Sequence, residues 1–254
     1  MNDLFDLTGR VALVTGGNAG LGLGMACGLA KAGASVALWG RKADRNDEAV
    51  AQLRALGADA EGFVCDVMDP TAVQAAIAET VNRFGRLDAC FANAGGAGIR
   101  KPFLDLEPAD WAYTQRLNVD SVVSTFGAAA RQFAAQKTGG KLVVTSSIAA
   151  ILGLPGGSYS ATKAAVSGLI RSLAIELAPL GIQANAILPG FIETEMSLNT
   201  PKAFQEACKR RTASGKLGTL EDMEGIAVFL ASPASNLITG QSIVIDGGQS
   251  IFPM

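Results

Sequence analysis

The segment Arg10-Val11-Ala12-Leu13-Val14-Thr15-Gly16-Gly17-Asn18-Ala19-Gly20-Leu21-Gly22 decides how the chain folds. Its first six residues form a short apolar run, which predicts a strand; Leu21–Ala32 carries the longer pattern of a helix. The strand does not alternate apolar with polar, so it is expected to be buried on both faces, as in a parallel sheet. The glycines between strand and helix have a physical task. They let the backbone turn tightly and approach a pyrophosphate, which would rest on the free N–H groups of the helix N-terminus. A glycine cluster alone can reflect close packing of helix on strand. The strand–glycine–helix context points instead to a dinucleotide. No Gly-Lys-Ser/Thr follows, which argues against a nucleoside triphosphate.

The same alternation continues outward from this segment. Further strands are expected at Ser35–Trp39, Glu61–Cys65, Ala89–Ala92, Lys141–Ser146, Gln183–Ile187 and Ser242–Ile245. Helices are expected at Asn46–Leu56, Thr71–Phe84, Pro108–Gln136, Tyr159–Leu177 and Leu220–Leu230. Repeated β-α-β units with right-handed crossovers give an α/β fold: a doubly wound, Rossmann-type parallel sheet with helices on both faces. No linker or composition break divides residues 1–254, so one domain is expected. The segment 191–217 has the weakest periodicity and is the expected substrate lid.

Composition narrows the chemistry. The 254 residues are 49% hydrophobic and 17% charged, with a net charge of −2, so no basic field calls for nucleic acid. Leu142–Thr162 carries no charge over 21 residues, but Thr145, Ser146, Ser147, Pro155, Gly157 and Ser158 interrupt it, which argues against a membrane span. Cys27, Cys65, Cys90 and Cys208 show no metal-type spacing and read as reduced thiols. The N-terminus is acidic and lacks the basic start and apolar run of a signal peptide. A cytoplasmic location follows. The chain contains no histidine, which removes Ser-His-Asp and Cys-His mechanisms and every histidine-containing metal site; no metal centre is expected. Proton transfer near pH 7 must then use a group whose pKa has been moved there.

Two further positions bear on the cofactor. After the second strand the chain reads Gly40-Arg41-Lys42, where NAD-binding proteins commonly place an acid for the ribose 2′-hydroxyl. The positive charge there suits a 2′-phosphate, favouring NADP over NAD. Asp66-Val67 follows the third strand at the same sheet edge, where Asp66 is either an acceptor for the adenine amino group or a turn residue. Tyr159 and Lys163 stand four residues apart in a predicted helix and so share one face. A free tyrosine titrates near pH 10, and lowering it by two or three pH units takes roughly 3–4 kcal/mol, within reach of one close cation in a partly buried cleft.

With these pieces in order the chain resembles the classical short-chain dehydrogenase/reductase family over nearly its whole length. The matching residues are Thr15-Gly-x-x-x-Gly-x-Gly22, Asp66, Asn93-Ala94-Gly95, Asn118, Ser146-Ser147, Tyr159-x-x-x-Lys163, Pro189-Gly190 with Thr194, and Asp246-Gly247-Gly248. The resemblance implies a seven-stranded parallel sheet, NADP or NAD as cofactor, and usually a homotetramer. It also implies catalytic roles. Tyr159 is the general acid/base, Lys163 lowers its pKa and holds the nicotinamide ribose, Ser147 orients the substrate oxygen, and Asn118 supports a water relay to Lys163. The cofactor set that follows is Gly16, Asn18, Gly20, Leu21, Gly22, Arg41, Asp66, Val67, Asn93, Gly95, Tyr159, Lys163, Pro189 and Gly190, with Ile192 and Thr194 at the carboxamide. Two departures stand out. The usual Asn-Asn-Ala-Gly reads Ala92-Asn93-Ala94-Gly95, and the loop between the serine pair and Tyr159 is one residue short. Spacing back from Tyr159 points to Ser146, whereas spacing forward along the strand points to Ser147. Strand register is the firmer guide, so Ser147 is preferred.

The expected reaction interconverts a secondary alcohol and a ketone by hydride transfer, with a sugar acid, polyol or 3-oxoacyl compound as substrate. Two other readings remain: a nucleotide-sugar epimerase and a dinucleotide-binding protein without turnover. The first would need an added C-terminal lobe, and only six residues follow Gly248. The second sits poorly with a complete Asn-Ser-Tyr-Lys set.

Overall fold

The computed structural model describes residues 3–155 and 157–251. Seven strands form one parallel sheet: β1 (Val11–Thr15), β2 (Ser35–Gly40), β3 (Ala60–Val64), β4 (Ala89–Ala92), β5 (Gly140–Thr145), β6 (Ile182–Pro189) and β7 (Ser242–Ile245). Their order is β3-β2-β1-β4-β5-β6-β7. The chain winds outward from β1 in one direction, then restarts at β4 on the other side. The strand ends therefore part between β1 and β4, and a crevice opens beyond their C-termini.

The unbroken apolar strands serve two cores. Val11 and Leu13 pack on one face with Val73 and Ile77 of α3 (Pro70–Phe84), Phe126 and Phe133 of α5 (Ser121–Gln136), and Val166 and Ile170 of α6 (Ser158–Glu176). Ala12 and Val14 pack on the other with Met25 and Leu29 of α1 (Gly20–Lys31), Leu53 of α2 (Ala43–Ala55), and Leu230 of α9 (Glu224–Ala231). Each fully buried large apolar side chain contributes about 1.5–3 kcal/mol, so successive strand residues stabilise opposite layers. Trp39 is fully buried yet keeps its indole N–H satisfied, donating to Thr80 Oγ1 at 3.1 Å.

Local signals set the helix ends. Asp69 accepts a 2.8 Å hydrogen bond from Thr71 N, Pro70 begins α3, and Gly85 closes it in the left-handed region at φ +79°. One expectation is corrected. The helix expected over Pro108–Gln136 is three pieces: α4 (Pro108–Gln115), a π turn (Arg116–Asp120) and α5. The segment 191–217, weakest in periodicity, contains α7 (Glu195–Leu198) and α8 (Lys202–Arg210). Its short helices are set by caps: Thr194 and Ser197 form a reciprocal capping box, and Pro201 precedes α8. No helix among the described residues is long and apolar enough to cross a membrane.

Candidate active site

The glycine turn lies at the mouth of the crevice. Gly16 and Gly20 adopt φ of +60° and +52°, conformations that side chains resist. At Gly22 a Cβ would collide with the Gly16 carbonyl, so only glycine lets the helix pack this closely. Unlike α3, α1 opens at Ala19 with no side-chain cap and no acid in its first turn. Its first N–H donors are left for an external anion, which fits a dinucleotide pyrophosphate.

Asn93 braces this turn from β4. Its Nδ2 donates to the carbonyls of Thr15 at 3.1 Å and Gly16 at 3.3 Å. Thr15 Oγ1 in turn accepts the backbone N–H groups of Asn93 and Ala94. Asn18 Nδ2 donates to Asn46 Oδ1, tying the turn to α2. Arg41 and Lys42 are exposed at the end of β2 and make no ion pair among the described residues. Asp66 forms a turn, with Oδ1 accepting from Met68 N at 3.0 Å, while Val67 is buried.

The reacting groups come from three elements. Asn118 lies in the π turn, is buried, and clamps the loop after β4. Its Oδ1 accepts from Gly96 N at 3.0 Å, and its Nδ2 donates to Gly96 O at 2.9 Å and Thr162 Oγ1 at 3.3 Å. The clamp needs glycine beside it, because a Cβ at Gly95 would stand 2.8 Å from Asn118 Oδ1 and 3.6 Å from Lys163 Nζ.

Tyr159 and Lys163 share one face of α6, with Nζ 5.7 Å from the phenol ring centroid. Lys163 donates to the Thr145 carbonyl at 2.8 Å, and burial lowers its pKa to about 8. Burial pushes Tyr159 above its ordinary value, opposed by the Ser147 hydroxyl and by the charge of Arg100.

The two serines at the end of β5 have separate surroundings. Ser146 is buried, donates to Lys163 O at 2.8 Å, and lies 3.0 Å from Ser167 Oγ. It fastens β5 to α6. Ser147 is half-buried, accepts from Ala149 N, and is the serine whose hydroxyl acts on Tyr159.

Beyond β6, Pro189-Gly190 brings the chain over the crevice. Gly190 N donates to Ile245 O at 2.9 Å, and the Gly190 site is too close to Asp246 for a side chain. Ile192 pairs with Gly218 and is buried. Thr194 faces the glycine turn: its Cγ2 is 3.5 Å from where a Gly20 Cβ would lie. One residue on, Glu195 meets Arg45 of α2 at 3.3 Å, so the segment beyond β6 reaches across to α1 and α2 of the other half of the sheet.

Arg45, Asn46, Arg100 and Thr162 carried no signal in the sequence. Arg45, Asn46 and Arg100 lie outside any motif and Thr162 fills an unspecified position of Tyr159-x-x-x-Lys163, so the place of each depends on which elements the sheet brings together. Thr15 heads the quoted glycine motif, and its role could have been read there too, since a hydroxyl at a strand end beside a glycine turn is a ready acceptor for neighbouring N–H groups.

The chain belongs to the short-chain dehydrogenase/reductase family, and is thereby an NAD(P)-dependent oxidoreductase of alcohols and ketones. A family profile described as enoyl-(acyl carrier protein) reductase matches residues 16–250. The chain is 37% identical over 252 residues to a gluconate 5-dehydrogenase of Gluconobacter oxydans (strain 621H), covering 98% of both chains. A solved gluconate 5-dehydrogenase of Burkholderia cenocepacia J2315, in complex with NADP and tartrate, superposes with a TM-score of 0.91. It is 37% identical and covers 98% of each chain. A 7α-hydroxysteroid dehydrogenase complexed with NADH and 7-oxo glycochenodeoxycholic acid superposes with a TM-score of 0.93 at 32% identity, covering 98% of this chain and 97% of that one.

Proposed function

We propose that the protein interconverts a secondary alcohol and a ketone on a small sugar acid, with NADP as its preferred cofactor. One observation carries the substrate class: the chain is 37% identical, over 98% of its length, to gluconate 5-dehydrogenases of two species. Arg100 is exposed on the loop after β4, makes no ion pair among the described residues and contributes a charge that favours the Tyr159 phenolate, so its guanidinium is the proposed partner for a substrate carboxylate.

The bound cofactor supplies the hydride acceptor or donor. The chain's own residues manage the proton and the geometry. Tyr159 takes or gives the hydroxyl proton at its phenolic oxygen, and Ser147 orients the substrate oxygen. Lys163 holds the nicotinamide ribose and, once the cofactor charge is present, favours the phenolate. Asn118 holds the loop at Gly96 and supports the proton relay toward Lys163. Gly16, Asn18, Gly20, Leu21 and Gly22 carry the pyrophosphate. Asp66 and Val67 flank the adenine, while Asn93 and Gly95 shape the groove floor. Pro189, Gly190, Ile192 and Thr194 hold the carboxamide, and Arg41 answers the 2′-phosphate. One domain carries both sites, and the segment 191–217 is the substrate lid.

A cytoplasmic homotetramer completes the reading. The apolar side chains of Trp111, Val123 and Ile175, exposed to 41%, 50% and 80%, offer helix faces for a second copy. A sedimentation mass near that of the single 26.0 kDa chain would refute it.

A bulkier apolar ketone is the second reading, favoured by Met196, Leu198 and Phe204, which are exposed on α7 and α8. An initial-rate screen with both cofactors over aldonates, keto-aldonates, polyols, 3-oxoesters and steroid ketones separates the two. The sugar-acid reading expects Arg100→Ala to raise KM for the acid at least tenfold while leaving a neutral polyol unchanged. Equal effects on both substrates would sink it. A strong preference for NAD would overturn the Arg41 argument.

A further inference from the structure

The opposite end of the sheet holds a second polar cavity, of about 290 Å³, lined by Arg10, Asp88, Thr138, Lys141 and Asn236 among others. Lys141 is the second residue of β5, whereas Ser147 lies just past its other end, so roughly 20 Å separates the cavity from the reacting groups at about 3.3 Å per residue. It belongs to neither the cofactor crevice nor the substrate lid.

The charges around it do not balance. Lys141 is 5% exposed and donates to Ser235 Oγ at 3.2 Å and Asn236 Oδ1 at 2.8 Å, both neutral acceptors. An ammonium has three donors, so one is left without a described protein acceptor. Asp88 is the one acid on the wall, but its carboxylate is already engaged. It accepts from Arg86 Nε at 2.8 Å, from a second Arg86 nitrogen at 2.6 Å and from Val11 N at 2.9 Å. Arg10 adds a further positive charge and has no ion pair among the described residues. Burial and Arg10 together push Lys141 down to about 8. A buried cation that faces another cation and only neutral acceptors is one for which a bound anion would supply the missing partner.

We propose that this cavity binds a small oxyanion, inorganic phosphate or a short dicarboxylate, held between Lys141 and Arg10. Its volume is below that of pockets for drug-sized ligands and suits such an ion with a few waters. The bound ion would tie the start of β5 to β1 and to the turn at 235–236. It stabilises the fold without entering the reaction.

The test compares thermal unfolding in sodium phosphate, sodium malonate and sodium chloride at matched ionic strength and pH 7. The enzyme is saturated with NADP throughout, so that the pyrophosphate site is filled. The expected result is a rise of a few degrees in Tm with millimolar phosphate or malonate over chloride, with turnover unchanged. Lys141→Met and Arg10→Gln should each lose most of that rise and weaken the calorimetric Kd at least tenfold. Should Lys141→Met fold poorly, Arg10→Gln carries the test, because Arg10 is only half-buried. A response to one oxyanion alone identifies the ligand. Equal rises in wild type and both variants would mean general salt stabilisation, and no rise in either oxyanion would mean no site; both overturn the proposal.

Discussion

Asn18 donates a 2.7 Å hydrogen bond to Asn46, and Asn46 is buried behind the end of β2. The Nδ2 of Asn46 reaches the carbonyls of Gly40 at 3.2 Å and Phe63 at 3.1 Å. One amide therefore joins the glycine turn to the ends of β2 and β3, the three places expected to surround the adenosine half of the cofactor. No side chain larger than hydrogen fits at Gly40, whose Cβ would strike both asparagines.

Asn46→Ala should leave two carbonyls and the Asn18 amide short of partners. We expect a stability loss of about 1–3 kcal/mol in urea unfolding. KM for the cofactor should rise several-fold while kcat stays within about twofold, since the reacting groups sit across the crevice. A kcat collapse with unchanged cofactor KM would contradict this.

The serine pair gives a sharper test. Ser147→Ala should lower kcat by about 10²–10³, the range for removing one preorganised donor at a reacting oxygen. Ser146→Ala should keep most of kcat and lose about 1 kcal/mol of stability, because its hydroxyl bonds only Lys163 O and Ser167. The reverse pattern would reassign the catalytic serine.

Burial disfavours the Tyr159 phenolate, so in the enzyme without cofactor its absorbance should change above pH 10. The difference spectrum between wild type and Tyr159→Phe isolates it from Tyr113. Oxidised cofactor should move the transition downward, because its positive nicotinamide favours a nearby phenolate. A transition below pH 8 without cofactor would show that Lys163 alone suffices.

Lys141 and Lys163 both titrate near 8 in the folded chain against an ordinary 10.5. Between those values the unfolded chain binds more protons than the folded one, so stability rises with pH. Below about 8 both states are protonated, and the cost of the buried charge is fully present. Wild type measured against Lys141→Met in chloride should therefore gain stability from pH 8 to 10.5. A flat difference across that window would contradict the depressed lysine.

The fold was legible because each β-strand advertises itself twice. Val11, Leu13, Ala12 and Val14 had to be apolar for both layers, and the glycine turn marked which end held the ligand. Tyr159 and Lys163 were legible because helical spacing alone brings them together. Arg100 was not, since it lies outside any motif on the loop after β4, and only the fold brings its charge to bear on Tyr159. The π turn was equally hidden: the apolar residues of 108–136 continue through it, and nothing in their pattern announces a widened turn. The helices of 191–217 were hidden by their brevity: α7 is four residues held by a cap, and α8 runs nine residues after Pro201, with one apolar face of Ala203, Phe204, Ala207 and Cys208 too short to stand out.

The widened turn at Arg116–Asp120 sets a conflict between durability and chemistry. A π turn accommodates an extra residue that a regular helix would exclude, at the cost of poorer backbone geometry. Removing one residue there would restore an uninterrupted rod from α4 into α5. Because the wide turn absorbs that residue, α4 and α5 would keep nearly the faces they present now, and the change would fall on the turn itself. Asn118 would then lose its place beside Gly96. A lineage under selection for heat resistance alone has this shortcut open to it, and one that must also turn over substrate does not.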